Sequence, residues 1–516
     1  MSMARNHEAL GRAFESTAML HPQRPAIRLA PGVDVTYAEL SALSNQIAGF
    51  LMTRLRTTGG VIALQNTKTP EGYAAMLACL KVGVAYTNLD PQNPARRLVH
   101  ILSVCRPEFV LCDSEPTGSV AEAAGQLSIP LIDLRECLPE IRALDGAWPE
   151  TDAVAGSDPA YVMFTSGSTG IPKGAVISHA SVLNFIDWSK REFSIGPDAV
   201  VAGANPIYFD NSVFDFYSAL FTGACLAPLA PEQLGDARGT VRLVDELGCT
   251  IWFSVPSLLI YLMTMRSLRR DTFTSVRAII FGGEGYPKGE LAKLFGLYGD
   301  RCRFVNVYGP TECTCICSAH QVTEDDLGDV RGLPPLGKIA QNFSFTILDG
   351  DKVVAPGEAG ELCLLGPQLA IGYYNEPERT QASFMPCPAE QWLGERMYRT
   401  GDLVREAEDG LLHFVGRKDN QIKHMGYRIE LEEIEVALNA LGYVSQAAVT
   451  YKRIREGFGH IIAHIATGDP AIDGNRLTAD LKDSLPAYMV PNRFVISAAL
   501  PKNANGKVDR ARLSDT

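Results

Sequence analysis

The chain lacks the features that would place it in a membrane, around a zinc ion or along a nucleic acid. Its most apolar stretch, between Thr250 and Met265, is broken by Ser254, Pro256 and Ser257. It falls short of the roughly 20 residues that a helical span needs, so a buried strand, turn and helix is expected there. Twelve cysteines are scattered through 516 residues without a CxxC pair, which removes zinc ribbons and thioredoxin-type motifs. Cys313, Cys315 and Cys317 alternate; on a strand they would share one face, at a spacing unlike zinc-site pairs, and small buried thiols in a reducing cytosol are expected. Basic residues are the minority, 47 Lys+Arg against 59 Asp+Glu, for a net charge of -12. That balance argues against a general role on nucleic acid or anionic lipid, while leaving room for a local basic groove. The opening, MSMARNHEALGRAFEST, has no apolar h-region, so no signal peptide is read and a cytoplasmic location is expected.

What is present is a globular composition, 46% hydrophobic and 21% charged, in a chain too long for one ordinary core. Strand-like and helix-like segments alternate from the start. Ala26–Leu29 reads as a strand, Thr36–Glu39 as a capping box opening a helix, Val61–Gln65 as a strand, and Gly72–Lys81 as a helix. Val84–Leu89, Arg97–Cys105 and Phe109–Asp113 continue the rhythm. This βαβα order predicts an α/β fold with parallel-rich sheets covered by helices. After Gly337 the segments FSFTILD, GELCLLG and LLHFVGR are short, β-rich and bounded by glycine, which suggests a small antiparallel sheet or barrel. A helix over Glu430–Leu441, strands QAAVTYK and HIIAHIA, a helix over Arg476–Leu485 and a strand RFVIS make a separate α+β unit. A large domain over residues 1–416 and a small one over 417–516 are therefore expected. The charged, glycine-containing segment GRKDNQIKHMGYR lies between them. No internal repeat and no low-complexity tract is seen.

The strongest local signal is YVMFTSGSTGIPKG, Tyr161–Gly174. An apolar strand runs into Thr165, Ser166, Gly167, Ser168, Thr169 and Gly170, followed by Lys173. Glycines let backbone N–H groups turn towards an anion, hydroxyls add donors and the lysine adds charge, so the loop suits a polyphosphate. It is not G-x-x-x-x-G-K-[ST], because Ile171 and Pro172 intervene and Gly174 follows the lysine. A flexible Ser/Gly linker is the alternative.

TSGSTGIPKG resembles the phosphate loop of the adenylate-forming superfamily, which includes acyl-CoA synthetases, luciferases and the adenylation domains of nonribosomal peptide synthetases. NVYGPTE (Asn306–Glu312), YRTGDL (Tyr398–Leu403), GRKDNQIKHMGYRIELEEIE (Gly416–Glu435) and PKNANGKVDR (Pro501–Arg510) resemble its later motifs, in order and across almost the full length. The residue types suit the roles this resemblance implies. Asn306 can read the adenine edge and Tyr308 can stack on the ring. Val307, Gly309, Pro310, Thr311 and Phe414 would complete the nucleotide site. Glu312 offers Mg²⁺ a hard oxygen, with Thr165 beside it. Asp402 can accept from the ribose hydroxyls, and Arg417 can reach ribose or phosphate. Lys507 would bridge the substrate carboxylate and the α-phosphate. Asp419 occupies the family's hinge position, so the small domain would be mobile. Taken singly, each residue has a plainer reading: a buried tyrosine at a strand end, a surface glutamate, a turn aspartate, an ordinary salt bridge, a solvated lysine.

The resemblance implies attack of a carboxylate on the α-phosphorus of MgATP, catalysed mainly by positioning and fixed positive charge. NPIYFDNSVFDFY (Asn205–Tyr217) resembles the specificity helix of amino-acid-activating members, with Asp210 where the substrate ammonium would pair. Asp210 is equally a good helix N-cap. Asn211, Phe214, Phe253, Ile280, Gly282, Val307, Cys315, Ile316 and Lys507 would line the substrate site. The stand-alone length and the stretches FDNSVFD and FGGEG look most like D-alanine–carrier-protein ligases, although Gly282 stands where those would have cysteine. The chain ends soon after the lysine motif, so the expected acceptor is the phosphopantetheine thiol of a separate carrier protein. Coenzyme A is the alternative, which would make the chain a carboxylic acid–CoA ligase. A non-enzymatic nucleotide-binding homologue would be expected to have lost Glu312, Asp402 or Lys507, and all three are present.

Overall fold

The computed structural model describes residues 9–56, 59–148, 154–167, 170–455, 458–502 and 508–514. Two large sheets dominate. One has nine strands, with a parallel centre running through Arg303–Tyr308, Ala278–Gly282, Ile251–Ser254, Val200–Gly203, Cys225–Pro228 and Pro25–Ala30, and antiparallel strands at both edges. The other has seven, parallel from Pro159–Thr165 through Ala85–Asn88, Val61–Gln65 and Val110–Cys112 to Leu131–Asp133. Its remaining strands, Lys173–Ser178 and Gly372–Tyr373, run antiparallel.

One hydrophobic core joins the two sheets. Ile280 and Val305 of the first and Ile62 and Tyr161 of the second enclose Phe50, Leu77, Phe185 and Phe214 from helices between them. Further helices cover the outer faces, with Leu259 and Leu294 over the nine-stranded sheet and Leu98 and Ala123 over the other. The all-buried strand Val61–Gln65 is what a parallel strand covered on both faces requires. The expected capping box is formed: Thr36 Oγ1 accepts from Glu39 N, and Thr36 N donates to Glu39. Val200–Gly203 and Ile251–Ser254 deliver the chain to the carboxyl ends of the parallel strands, where open α/β sheets place their ligands.

Residues 344–417 form a six-stranded antiparallel sheet. Of the antiparallel sheet or barrel expected here, the open sheet is found: among the described residues Lys352–Val353 ends the order at one edge, while the long strand Arg396–Glu406 carries both Phe384–Pro386 and Leu412–Arg417 at the other. Beyond it, Gln421–His424 and Tyr427–Glu430 make a hairpin. The helix Leu431–Asn439 packs on the three-stranded sheet Gln446–Arg455, Phe458–Ala466 and Arg493–Ser497, with a core of its own around Ile434, Val449 and Leu477. The helix expected to reach Leu485 ends at Leu481.

Thr250–Met265 is a strand, Ile251–Ser254, followed by a helix, Pro256–Thr264, as expected. Among the described residues no helix is long and apolar enough to cross a membrane. The alternating cysteines do not share a strand face. Cys313 ends a short 3-10 turn, and Thr314 and Cys315 have φ of 57° and 72°. All three thiols are buried and free.

Candidate active site

The loop expected to hold phosphate joins the two strands of the antiparallel hairpin Pro159–Thr165/Lys173–Ser178, with Thr165 paired to Lys173. Glycine is required at Gly167, where a Cβ would stand 2.1 Å from the Ile171 carbonyl oxygen. Gly170 has φ +79°, and its N–H donates to the Gly167 carbonyl. Ser166 Oγ donates to the Arg428 carbonyl at 2.8 Å. Ser168 and Thr169 lie outside the described residues. The buried Thr165 hydroxyl has no hydrogen-bond partner among the described residues.

Strand Arg303–Tyr308 ends in the turn Gly309–Pro310 and the 3-10 turn Thr311–Cys313. Gly309 has no room for a side chain, since a Cβ would stand 2.1 Å from the Cys315 carbonyl oxygen. Glu312 is fully buried. One carboxylate oxygen faces Lys173 Nζ at 3.1 Å and accepts from Tyr373 Oη at 2.8 Å; the other pairs with Arg428 at 2.8 Å. Burial alone would raise its carboxyl, but Arg428, Lys173 and Tyr373 together hold it well below the usual carboxylate range. Lys173 is pushed down by burial, partly offset by Glu312. The unpartnered Thr165 hydroxyl and the Glu312 carboxylate are donors of the kind Mg²⁺ takes. In this arrangement, however, both Glu312 oxygens are already engaged.

A cavity of about 330 Å³ opens beside Tyr308, Asn306, Val307, Phe414 and Arg417. Asn306 Nδ2 donates to the Pro335 carbonyl at 2.7 Å. Tyr308 Oη donates to Asp402 at 2.6 Å, and the other Asp402 oxygen pairs with Arg417 at 2.5 Å. Arg417 also holds Asp419 at 2.6 Å, and Asp419 accepts from Gln421 N. Lys423 Nζ lies 5.7 Å from the Tyr308 ring centroid. The aromatic, acidic and basic groups expected for adenosine are thus brought together.

A second cavity of about 540 Å³ runs from Thr165, Ser166 and Thr311 past Asp210 and Asn211. Asp210 precedes the helix Asn211–Leu220, but its carboxylate makes no capping bond. It accepts instead from Thr311 Oγ1 at 2.6 Å. Burial pushes its carboxyl up, and the Thr311 hydrogen bond, Lys423 and Arg428 pull in the opposite direction. Asp215 is a different group. It is buried inside the helix packing, where it accepts from Asn205 N and Nδ2 at 3.1 Å.

Of the expected substrate residues, Asn211 opens on this cavity and Val307 on the smaller one, whereas Phe214, Phe253, Ile280, Cys315 and Ile316 are buried and line neither. The reason is aromatic packing: Phe214 meets Phe253 at 5.0 Å and Phe193 at 5.3 Å, both edge-on. Gly282 sits in the same floor, where a Cβ would stand 2.4 Å from the Val307 carbonyl oxygen. Lys507 lies outside the described residues. Arg428, Tyr373 and Lys423 were not singled out by sequence reasoning. Arg428 and Lys423 sit in the segment taken as a hinge, and Tyr373 carries no local signal of charge or spacing.

Residues 14–374 match the AMP-binding enzyme family, and residues 433–507 match the AMP-binding enzyme C-terminal domain. The L-proline–[L-prolyl-carrier protein] ligase of Pseudomonas fluorescens is 35% identical over 474 residues, 88% of this chain and 89% of that protein. A D-alanine–D-alanyl carrier protein ligase of Bacillus cereus is 30% identical over 486 residues, 93% and 94% of the two chains. The dimodular nonribosomal peptide synthase of Bacillus subtilis is 35% identical over 503 residues, but this chain spans only 20% of its length. Among solved structures, holo-PA1221, a protein containing adenylation and PCP domains bound to a vinylsulfonamide inhibitor, superposes with a TM-score of 0.82 at 28% identity, covering 98% of this chain and 84% of that one. Motifs, fold and relatives agree, and the chain belongs to the AMP-binding enzyme family.

Proposed function

We propose that this ligase activates an amino acid as its adenylate and passes the aminoacyl group to the phosphopantetheine thiol of a separate carrier protein. The observation that carries the amino-acid reading is Asp210. Its carboxylate is enclosed at the cavity wall, released from any capping role and held by one neutral hydroxyl, Thr311. A substrate ammonium is the partner such a group lacks.

In the first step a substrate carboxylate oxygen forms a bond to the α-phosphorus of ATP, and the bond to the β-phosphate oxygen breaks, releasing pyrophosphate. The loop Thr165–Lys173 would hold the phosphates, Tyr308 and Asn306 the adenine, and Asp402 with Arg417 the ribose. Thr165 and Glu312 would hold Mg²⁺, which neutralises phosphate charge when bound. Lys507 would join the substrate carboxylate to the α-phosphate. In the second step the carrier thiol gives up its proton to solvent, its sulfur bonds to the acyl carbon, the bond from that carbon to the phosphate oxygen breaks, and AMP leaves.

The two steps call for two positions of a small domain over 417–516, turning at Asp419. In the arrangement seen, the hairpin Gln421–Glu430 faces the site and Arg428 occupies Glu312. Withdrawing it would free that carboxylate for the first step. The carrier protein is supported by relatives named as carrier-protein ligases. ATP–pyrophosphate exchange over L-, D- and β-amino acids, followed by loading of a phosphopantetheinylated carrier or of coenzyme A, tests both halves. Exchange with deaminated acids alone overturns the amino-acid reading, and loading of coenzyme A alone overturns the carrier.

A further inference from the structure

The hairpin Gln421–Glu430 meets the body of the protein at several points. Ser166 bonds the Arg428 carbonyl, Arg97 pairs with Glu433 just beyond the hairpin, and Tyr427 lies edge-on to Phe209 at 5.1 Å. A fourth contact differs in kind. Glu284 divides its carboxylate between two backbone amides: Oε1 accepts from Ser257 N at 2.7 Å, and Oε2 accepts from Gly426 N at 2.8 Å. Ser257 belongs to the large sheet's own helix, whereas Gly426 is the tip of the hairpin.

That tip is conformationally demanding. Met425 and Gly426 have φ of 51° and 82°. Two successive left-handed residues suit a two-residue hairpin turn, at a strain cost for methionine. The tip also fits closely, since a Cβ on Gly426 would stand 2.8 Å from Val255 Cγ1. A strained turn seated against Val255 and tied to a half-buried acid persists because its surroundings specify it.

We propose that Glu284 is a positioning residue for the transfer step: through the Gly426 amide it anchors the hairpin over the site, and its contribution falls on that step rather than on adenylation. The inference rests on the two-step reading above. Docking of this tip brings Arg428 to Glu312 and Lys423 to Tyr308. When the small domain turns to deliver Lys507, Gly426 leaves Glu284 while Ser257 stays. The bond exists in one arrangement only, and so biases the equilibrium towards it.

Glu284→Gln in the full chain keeps the side-chain shape but leaves one oxygen for two amide donors. Hydrogen exchange of residues 421–430, measured without substrate, is expected to quicken. Transfer from pre-formed aminoacyl-adenylate is expected to fall about tenfold, the effect of roughly one lost charge-assisted hydrogen bond, while pyrophosphate exchange stays within about twofold. Gly426→Ala, which crowds Val255 when the tip is docked and also strains a turn residue at φ +82°, is expected to give the same pattern and covers the case in which the first variant misfolds. Unchanged protection of the hairpin, or equal loss in both steps, overturns the proposal. If the wild type shows no exchange with any amino acid or deaminated acid, the two-step reading fails, and hairpin protection then decides on Glu284 by itself.

Discussion

Two acids lie on either side of the turn Gly309–Thr311, and they are satisfied in opposite ways. Glu312 is saturated by Lys173, Arg428 and the Tyr373 hydroxyl. Asp210 has a hydroxyl and, among the described residues, no cation within ion-pair distance; Lys423 and Arg428 act on it only from farther away. An enclosed carboxylate with its cations in place needs nothing from a ligand. One without them favours a ligand that brings a positive charge. The same contrast separates the two cavities: beside Tyr308 the charges are paired in advance, through Asp402, Arg417 and Asp419, whereas beside Asp210 one carboxylate has no ion-pair partner among the described residues.

The largest expected effect falls on adenylation. Lys507→Ala removes a cation from the developing phosphoryl charge, and pyrophosphate exchange should drop on the order of 10²–10³-fold. Transfer from pre-formed adenylate should change far less. Equal losses would mean that the lysine serves both arrangements, and the contrast between the two half-sites would blur.

Next comes the hinge. Asp419→Pro stiffens the backbone where Asp419 also holds Arg417 and caps Gln421 N. One half-reaction should survive and the other fall; wild-type rates for both would show that no rotation is needed there.

The aromatic floor behind Asp210 predicts a smaller shift. Phe214→Leu loosens the contacts with Phe193 and Phe253, so exchange with a larger side chain should improve about tenfold relative to the preferred one, the scale of one methylene in an apolar pocket. An unchanged ranking would place the side-chain subsite elsewhere.

The smallest effect is a pH dependence. Glu312 is held below its ordinary value of 4.5, so its pairing stabilises the docked hairpin above that value and is lost only as pH falls through the lowered one. Hairpin protection from exchange should therefore persist to below pH 4.5. Loss between pH 7 and 6 would assign docking to another group.

The family and the α/β fold were legible in the sequence because the motifs are local strings: TSGSTGIPKG and YGPTE follow the strands Pro159–Thr165 and Arg303–Tyr308, and GDL lies within Arg396–Glu406. The capping box and the Thr250–Met265 strand and helix were legible for the same reason. What could not be read depends on packing between distant segments. Tyr373 reaches Glu312 across 61 residues and Arg428 across 116. The plug formed by Phe214, Phe253 and Phe193 needs three elements at once. Asp210 was ambiguous because a good N-cap and a good ammonium ligand are the same residue type. Its orientation towards Thr311 favours the second reading and is tertiary information.

The account rests most directly on Asp210. The deciding measurement is ATP–pyrophosphate exchange with the preferred amino acid and its deaminated analogue, on wild type and Asp210→Ala, with melting temperature on the same samples. The expected loss in kcat/KM for the amino acid is roughly 2–5 kcal/mol, with discrimination against the deaminated acid collapsing, ATP affinity unchanged and stability retained because no cap is lost. A well-folded Asp210→Ala protein that kept its full preference for the amino acid would contradict the account.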